Sequence, residues 1–195
     1  MERSGTLLLL ASLYVAAEVV SNVTAGRLVQ LGSLVVPGAI FLYAMTFTLR
    51  DAVHAAGGVA VARQVVWAGF LANLLLAAYG LLVVALPAPP WFDPAPYQVV
   101  LAQSARVVAA SLAAYLTSQL VNTWAFERLR GALWLRSLGS NLLAVAVDSA
   151  VFISLAFAGT GAPLATMILA QVAVKLLVSA LLLPLLYLVR GPRPA

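Results

Sequence analysis

The sequence predicts an all-α integral membrane protein, a bundle of six transmembrane helices with both termini in the cytoplasm. Three observations predict the class. Of the 195 residues, 64% are hydrophobic and only 9% are charged, against roughly a quarter charged in an ordinary soluble domain. The mean hydropathy of +1.04 exceeds what one aqueous core can hide, so lipid is the expected solvent. Runs such as Leu74-Leu75-Leu76-Ala77-Ala78 lack the apolar/polar alternation of a transmembrane strand, which excludes a β-barrel.

The spans are expected at 6–23, 34–49, 64–86, 99–126, 138–158 and 163–189. At roughly 20 residues each, six helices leave only loops and tails, so 1–195 reads as a single membrane domain. The first stretch follows Arg3 and contains Val15-Ala16-Ala17, which resembles a signal-peptide cleavage site. Its apolar run is long and continues into Asn22-Val23-Thr24, so it is read as a span. A short link at 30–33 and a polar turn at 50–63 bound the second. The third ends at the proline-rich segment 87–96, the fourth at a basic turn, 128–137, and the fifth at the Gly159-Thr160-Gly161-Ala162-Pro163 reversal. Pro184 inside the sixth is expected to kink it. Trp91, Phe92 and Tyr97 at one set of helix ends, with Trp67, Trp124 and Trp134 nearer the other, suit interfacial anchoring.

Orientation follows from charge. On six spans, Arg3, Arg50, Arg63, Arg128, Arg130, Arg136, Arg190 and Arg193 fall on the side of the N-terminus, and Arg27 alone on the opposite side. The positive-inside rule then makes both termini cytoplasmic. The net charge of +5 is read as topology and not as a nucleic-acid surface. The absence of cysteine excludes a disulfide scaffold, a thiolate nucleophile and Cys-based metal sites.

Charged groups at membrane depth cost about 2.5 to 3.5 kcal/mol on insertion scales, so each needs a partner or a water-filled cavity. Glu18, Arg106, Asp148 and Lys175 fall within the spans. Helical spacing aligns Glu18 with Asn22, Gln171 with Lys175, Gln103 with Arg106, Gln119 with Asn122, and Asn141 with Asp148. With Asn73 this is more hydrogen-bonding capacity than helix adhesion uses, at about 0.6 kcal/mol per bond. A polar cavity for a small solute is favoured over an Asp148–Lys175 pair with structural amides.

Enzymatic readings fare poorly. The one histidine, His54, is expected in a turn, so no Ser/His pair forms at membrane depth. Asp148 and Glu18 lack a paired-carboxylate motif, and no metal-ligand spacing occurs. No cofactor or metal is expected. A phosphate-binding loop of the G-x-x-x-x-G-K-[ST] type is missing, so ATP hydrolysis by this chain is excluded.

Ordered blocks through nearly the whole chain carry a resemblance. They are Ser21-Asn22-Val23-Thr24; Pro37-Gly38-Ala39-Ile40 followed by Thr46-Phe47-Thr48-Leu49-Arg50-Asp51; Ala62-Arg63; Ala105-Arg106; and Ala114-Tyr115 with Ser118-Gln119. Further on come Trp134-Leu135-Arg136-Ser137 with Ser140; Asp148-Ser149 with Phe152; and Val174-Lys175 with Ser179 and Pro184. The chain resembles the queuosine-precursor transporters, or vitamin uptake transporter family. The resemblance implies a six-helix importer of deazapurine precursors of the queuosine tRNA modification in the bacterial inner membrane, with Arg106, Asp148 and Lys175 matching charges of the pattern. Two positions depart from it: the Asp-x-x-Asn-Glu run reads Asp51-Ala52-Val53-His54-Ala55, and Asn122 replaces the Asp of Gln-x-x-Asp. Glu18 lies outside the pattern.

For such a 7-deazaguanine base or queuine, a carboxylate accepts from the donor edge, an amide or cation donates, and an aromatic face stacks. Asp148 or Glu18 suits the first role, Asn22, Gln119 or Asn122 the second and Phe152 the third. If Lys175 permanently occupies Asp148, Glu18 becomes the reader. Two other function classes remain: a substrate-binding subunit of a larger energised uptake complex, and a structural assembly protein. The expected partners are the small heterocycle and membrane lipid, with a homo-oligomer or an energy-coupling subunit left open.

Overall fold

A computed structural model describes residues 3–130 and 133–189. Arg190 and Arg193, assigned to the N-terminal side, lie outside the described residues, as do the side chains of Trp134, Arg136, Ser137, Ser179 and Pro184. The element order is α1 (Arg3–Thr24), β1 (Leu28–Leu31), β2 (Leu34–Pro37), α2 (Ile40–Ala85), α3 (Ala95–Arg128), α4 (Leu133–Phe157) and α5 (Leu164–Val189). α2 is broken at Gly58, where φ is +81° and ψ 177°. That conformation is open essentially to glycine alone. Two limbs, 40–57 and 59–85, result, and the described chain is built from six helical limbs.

Two expectations need correction here. The second helix starts at Ile40, not at 34, because Leu34–Pro37 pairs antiparallel with Leu28–Leu31 across a Gly32-Ser33 turn. Two short apolar runs with β-branched residues, joined by two residues of which one is glycine, form a hairpin in preference to a helix. The all-α expectation therefore holds except for this ribbon. The polar turn expected at 50–63 is instead helical on both sides of Gly58, so the break between the two limbs takes one residue. His54 consequently sits on a helix, exposed, and not in a loop.

Among the described residues, four helices are long and apolar enough to cross a membrane: Ser4–Thr24, Ala56–Ala85, Ala95–Ser118 and Gly139–Phe157. Leu164–Val178 is a shorter apolar helix. The distribution of polarity is inverted relative to a soluble protein. Leu8, Leu75 and Leu169 stand exposed, while Asn22, Thr46, Asn73, Asp148, Gln171 and Lys175 are buried. Such an exterior is stable only against hydrocarbon, where each interior polar group must find a partner.

Packing is closest between α1 and α2 and between α3 and α4, while α5 lies on α2, α4 and β2. Two apolar clusters close the ends of the bundle. Tyr14, Leu49, Val53 and Val65 pack with Leu7 and Leu10 toward the N-terminal end. Ala25, Val107, Phe152, Phe157 and Met167 pack toward the hairpin end. Small residues allow the close approach: a Cβ on Gly69 would meet the Tyr14 ring at 3.0 Å, one turn of α1 from Glu18.

Candidate functional site

Three of the four intramembrane charges meet in one place. A cavity of about 390 Å³ is lined by Glu18 of α1, Tyr43, Thr46 and Arg50 of α2, Tyr115 and Ser118 of α3, Asn141 and Asp148 of α4, and Lys175 of α5. This volume lies within the usual range of small-molecule sites, about 300 to 1,000 Å³. The cavity extends from the charged pair to Arg50 and Asp51, toward the N-terminal end.

Lys175 and Asp148 form a salt bridge, and both are buried. The ammonium lies 3.5 Å from the Ser149 hydroxyl and 5.1 Å from the centre of the Tyr43 ring. A cation over an aromatic face is further stabilised by the ring quadrupole. Asp148 is thus neutralised by a partner that points at it from the facing helix. Arg50 pairs with its neighbour Asp51 at 3.2 Å. Glu18 has no ion-pair partner among the described residues and interacts with the Tyr14 and Thr46 hydroxyls. It is therefore the carboxylate in the cavity that is held by hydroxyl donors and not by an ion pair, with Arg50 the cation of the lining that acts on it.

Asn22 and Asn73 form a separate knot. Asn22 Nδ2 donates to Asn73 Oδ1 at 2.8 Å and to the Glu18 carbonyl at 3.1 Å. Ser111 Oγ donates to Asn22 Oδ1 at 3.0 Å, and Asn73 Nδ2 donates to the Gly69 carbonyl at 3.0 Å. Three helices are tied by groups that satisfy one another. The knot lines a small cavity of about 60 Å³ that shares Glu18, Tyr43 and Tyr115 with the larger one.

Arg106 stands apart. Its Nε donates to the Leu155 carbonyl at 2.9 Å and its guanidinium to the Ala158 carbonyl at 2.6 Å. These are carbonyls at the C-terminal end of α4, which a cation suits because they have no helical donor and carry the negative end of the dipole. The structure does not bring Arg106 to the cavity of Asp148 and Lys175. Phe152 is near the hairpin end, edge-to-face with Phe157 at 6.3 Å between ring centres, and does not line the large cavity. The side chains of Gln119 and Asn122 lie outside the described residues. Tyr14 and Tyr43 were not singled out by sequence reasoning, because an aromatic within an apolar span looks like core. The usable signal was Tyr14 one turn before Glu18.

Charges gathered in a solute-sized interior cavity, inside an apolar exterior, define the class: a multi-pass membrane protein with a polar site within the bundle. The chain belongs to the family described as "Putative vitamin uptake transporter", whose profile matches residues 37–189. It is similar to the "Probable queuosine precursor transporter" of Bacillus subtilis (strain 168), with 28% identity over 151 residues. That alignment covers 73% of this chain and 66% of the relative, just under two thirds of its length. No solved structure matches the chain. Family and relative are both described as transporters, in keeping with the expectation that the chain is not an enzyme.

Proposed function

We propose that the chain is a six-span importer of the bacterial inner membrane, with both termini cytoplasmic, that carries a 7-deazaguanine base of the queuosine-precursor type. The observation that carries the reading is the cavity of about 390 Å³ with one carboxylate outside any ion pair among the described residues, Glu18, sharing its walls with the neutralised Asp148–Lys175 pair. A guanine-like edge presents adjacent N–H donors, which a carboxylate accepts bidentately. Glu18 is the reader of that edge, and Asp148 sets the position of Lys175. Tyr43 and Tyr115 supply faces for stacking, and Ser118 and Asn141 supply neutral hydrogen-bonding groups.

The topology is supported by the count of six helical limbs and by the sequence bias that puts Arg3, Arg50, Arg63, Arg128 and Arg130 on the side of the N-terminus when six spans are assumed. The printed name of the B. subtilis relative supports the solute class.

The test is genetic. A bacterium unable to make queuosine and lacking its own importer is given each deazapurine precursor at low concentration, with and without this gene. Restored queuosine in tRNA is the expected result. Protein present in the membrane with no precursor restoring the modification refutes the solute assignment.

A further inference from the structure

A third cavity lies between the hairpin and the Asn22 knot, and the site described above does not use it. Its volume is about 20 Å³, and its walls include Ser21, Pro37, Ile40, Tyr43, Phe152 and Gln171. That is room for about one water molecule. Two polar groups in its walls are unpartnered. Ser21 and Gln171 are each 2% exposed, and among the described residues neither Ser21 Oγ nor Gln171 Oε1 has a hydrogen-bond partner. Buried oxygens without partners are uncommon, since burial removes them from water with no return. A partner that enters in another state of the molecule removes the penalty.

The position of Tyr43 indicates how a partner arrives. Its side chain borders this cavity, the cavity of the Asn22 knot and the large cavity. Neighbouring spaces share walls from Arg50 and Asp51 to the hairpin: Glu18 and Tyr115 are common to the large cavity and that of the knot, Asn22 and Ser111 to that of the knot and this one, and Tyr43 to all three. Pro37 ends β2 and Ile40 begins α2, so the wall away from the large cavity is the base of the hairpin. Val36 and Pro37 are buried there, whereas Leu31 and Leu34 at the hairpin tip are exposed.

We infer that this cavity is the closed, far end of the solute path, a subsite where Ser21 and Gln171 bind the N–H edge of a neutral planar heterocycle after the hairpin opens and before the solute passes Tyr43. The inference rests on the importer reading and adds a second station to it. The ligand is neutral because no charged side chain lines the walls and Lys175 lies one turn beyond Gln171 on α5. It brings N–H donors because Gln171 Oε1 only accepts and the Ser21 hydroxyl accepts as well as donates. It is planar because Phe152 and Tyr43 present ring faces or edges to the same space.

The chain contains no cysteine, so single cysteines report without background. In whole cells, Ser21→Cys should be modified from outside by a small membrane-impermeant thiosulfonate, and a saturating 7-deazaguanine base should slow that modification about tenfold. Gln171→Leu should keep wild-type membrane levels and thermal midpoint, because the lost carbonyl had no partner, while half-maximal uptake needs about tenfold more base. Gln171→Met provides the same reading if the leucine variant fails to assemble. An inert Ser21→Cys, modification that the base does not slow, or Gln171 variants with wild-type uptake each overturn the subsite. Wild-type uptake is measured in parallel. Its absence refutes the importer, whereas an inert Ser21→Cys beside intact wild-type uptake refutes the subsite alone.

Discussion

Replacing Asp148 by Asn leaves the Lys175 ammonium, which is 2% exposed, without a counter-charge: its partners are then all neutral, namely the new amide oxygen, the Ser149 hydroxyl at 3.5 Å and the Tyr43 ring. Breaking one side of a buried pair costs about 3 to 5 kcal/mol, since an uncompensated charge stays buried. The Tyr43 contact does not offset this, because it is already made in the wild type. Lys175→Met should cost a similar amount by stranding Asp148. The double variant has no charge left to strand, so its loss should fall below the sum of the singles by about 2 to 3 kcal/mol, the upper part of the range for contacting residues. Ser111→Ala sets the scale for ordinary adhesion: it removes one 3.0 Å hydrogen bond to Asn22, worth about 0.6 kcal/mol between membrane helices. All four variants are compared by reversible unfolding in mixed detergent micelles. Additivity of the two charge changes, or an Asp148→Asn cost no larger than that of Ser111→Ala, would refute the coupled pair.

Glu18→Gln should leave unfolding within about 1 kcal/mol of wild type but raise the KM for the base roughly 10- to 100-fold, the loss of a charged hydrogen bond worth about 1.5 to 3 kcal/mol; uptake kinetics read it. Gly58→Ala should destabilise the chain by about 1 to 3 kcal/mol, because alanine is strained at φ +81° and ψ 177°; a neutral effect in the same unfolding assay would contradict the described break. Cysteines at Pro90 and Arg130, labelled on intact cells with an impermeant maleimide, should react at the first position only. Reaction at both overturns the proposed topology.

Much of the architecture was legible because lipid imposes a coarse rule. An uninterrupted apolar run is expected to become a helix, and among the described residues Ser4–Thr24, Ala56–Ala85, Ala95–Ser118 and Gly139–Phe157, each overlapping an expected stretch, are helices long and apolar enough to cross a membrane. What the rule does not reach is the chain between spans. Leu34-Val35-Val36 continues the hydropathy of the second stretch, so apolarity alone does not separate the strand from the helix; the Gly32-Ser33 turn and the β-branched residues were the distinguishing signal. Glu18, Asp148 and Lys175 were found for an energetic reason, since a charge at membrane depth has to be accommodated. The same reasoning placed Arg106 with them, yet spacing along one helix cannot name the neighbour across the gap. That neighbour is the end of α4, whose free carbonyls hold the guanidinium. Asn22 and Asn73 were recognised as polar groups within the bundle, but their mutual bond joins residues 51 apart in sequence. No local pattern records such a contact.

Uptake by the purified chain alone in liposomes tests the account most directly. Vesicles holding wild-type protein, with no nucleotide and no other subunit, are given a radiolabelled 7-deazaguanine base with and without an imposed proton gradient, beside vesicles with equal amounts of folded Glu18→Gln. The account predicts saturable entry through the wild type and a roughly 10- to 100-fold higher KM for the variant. Entry no faster than into empty liposomes, or identical kinetics for Glu18→Gln, would contradict it.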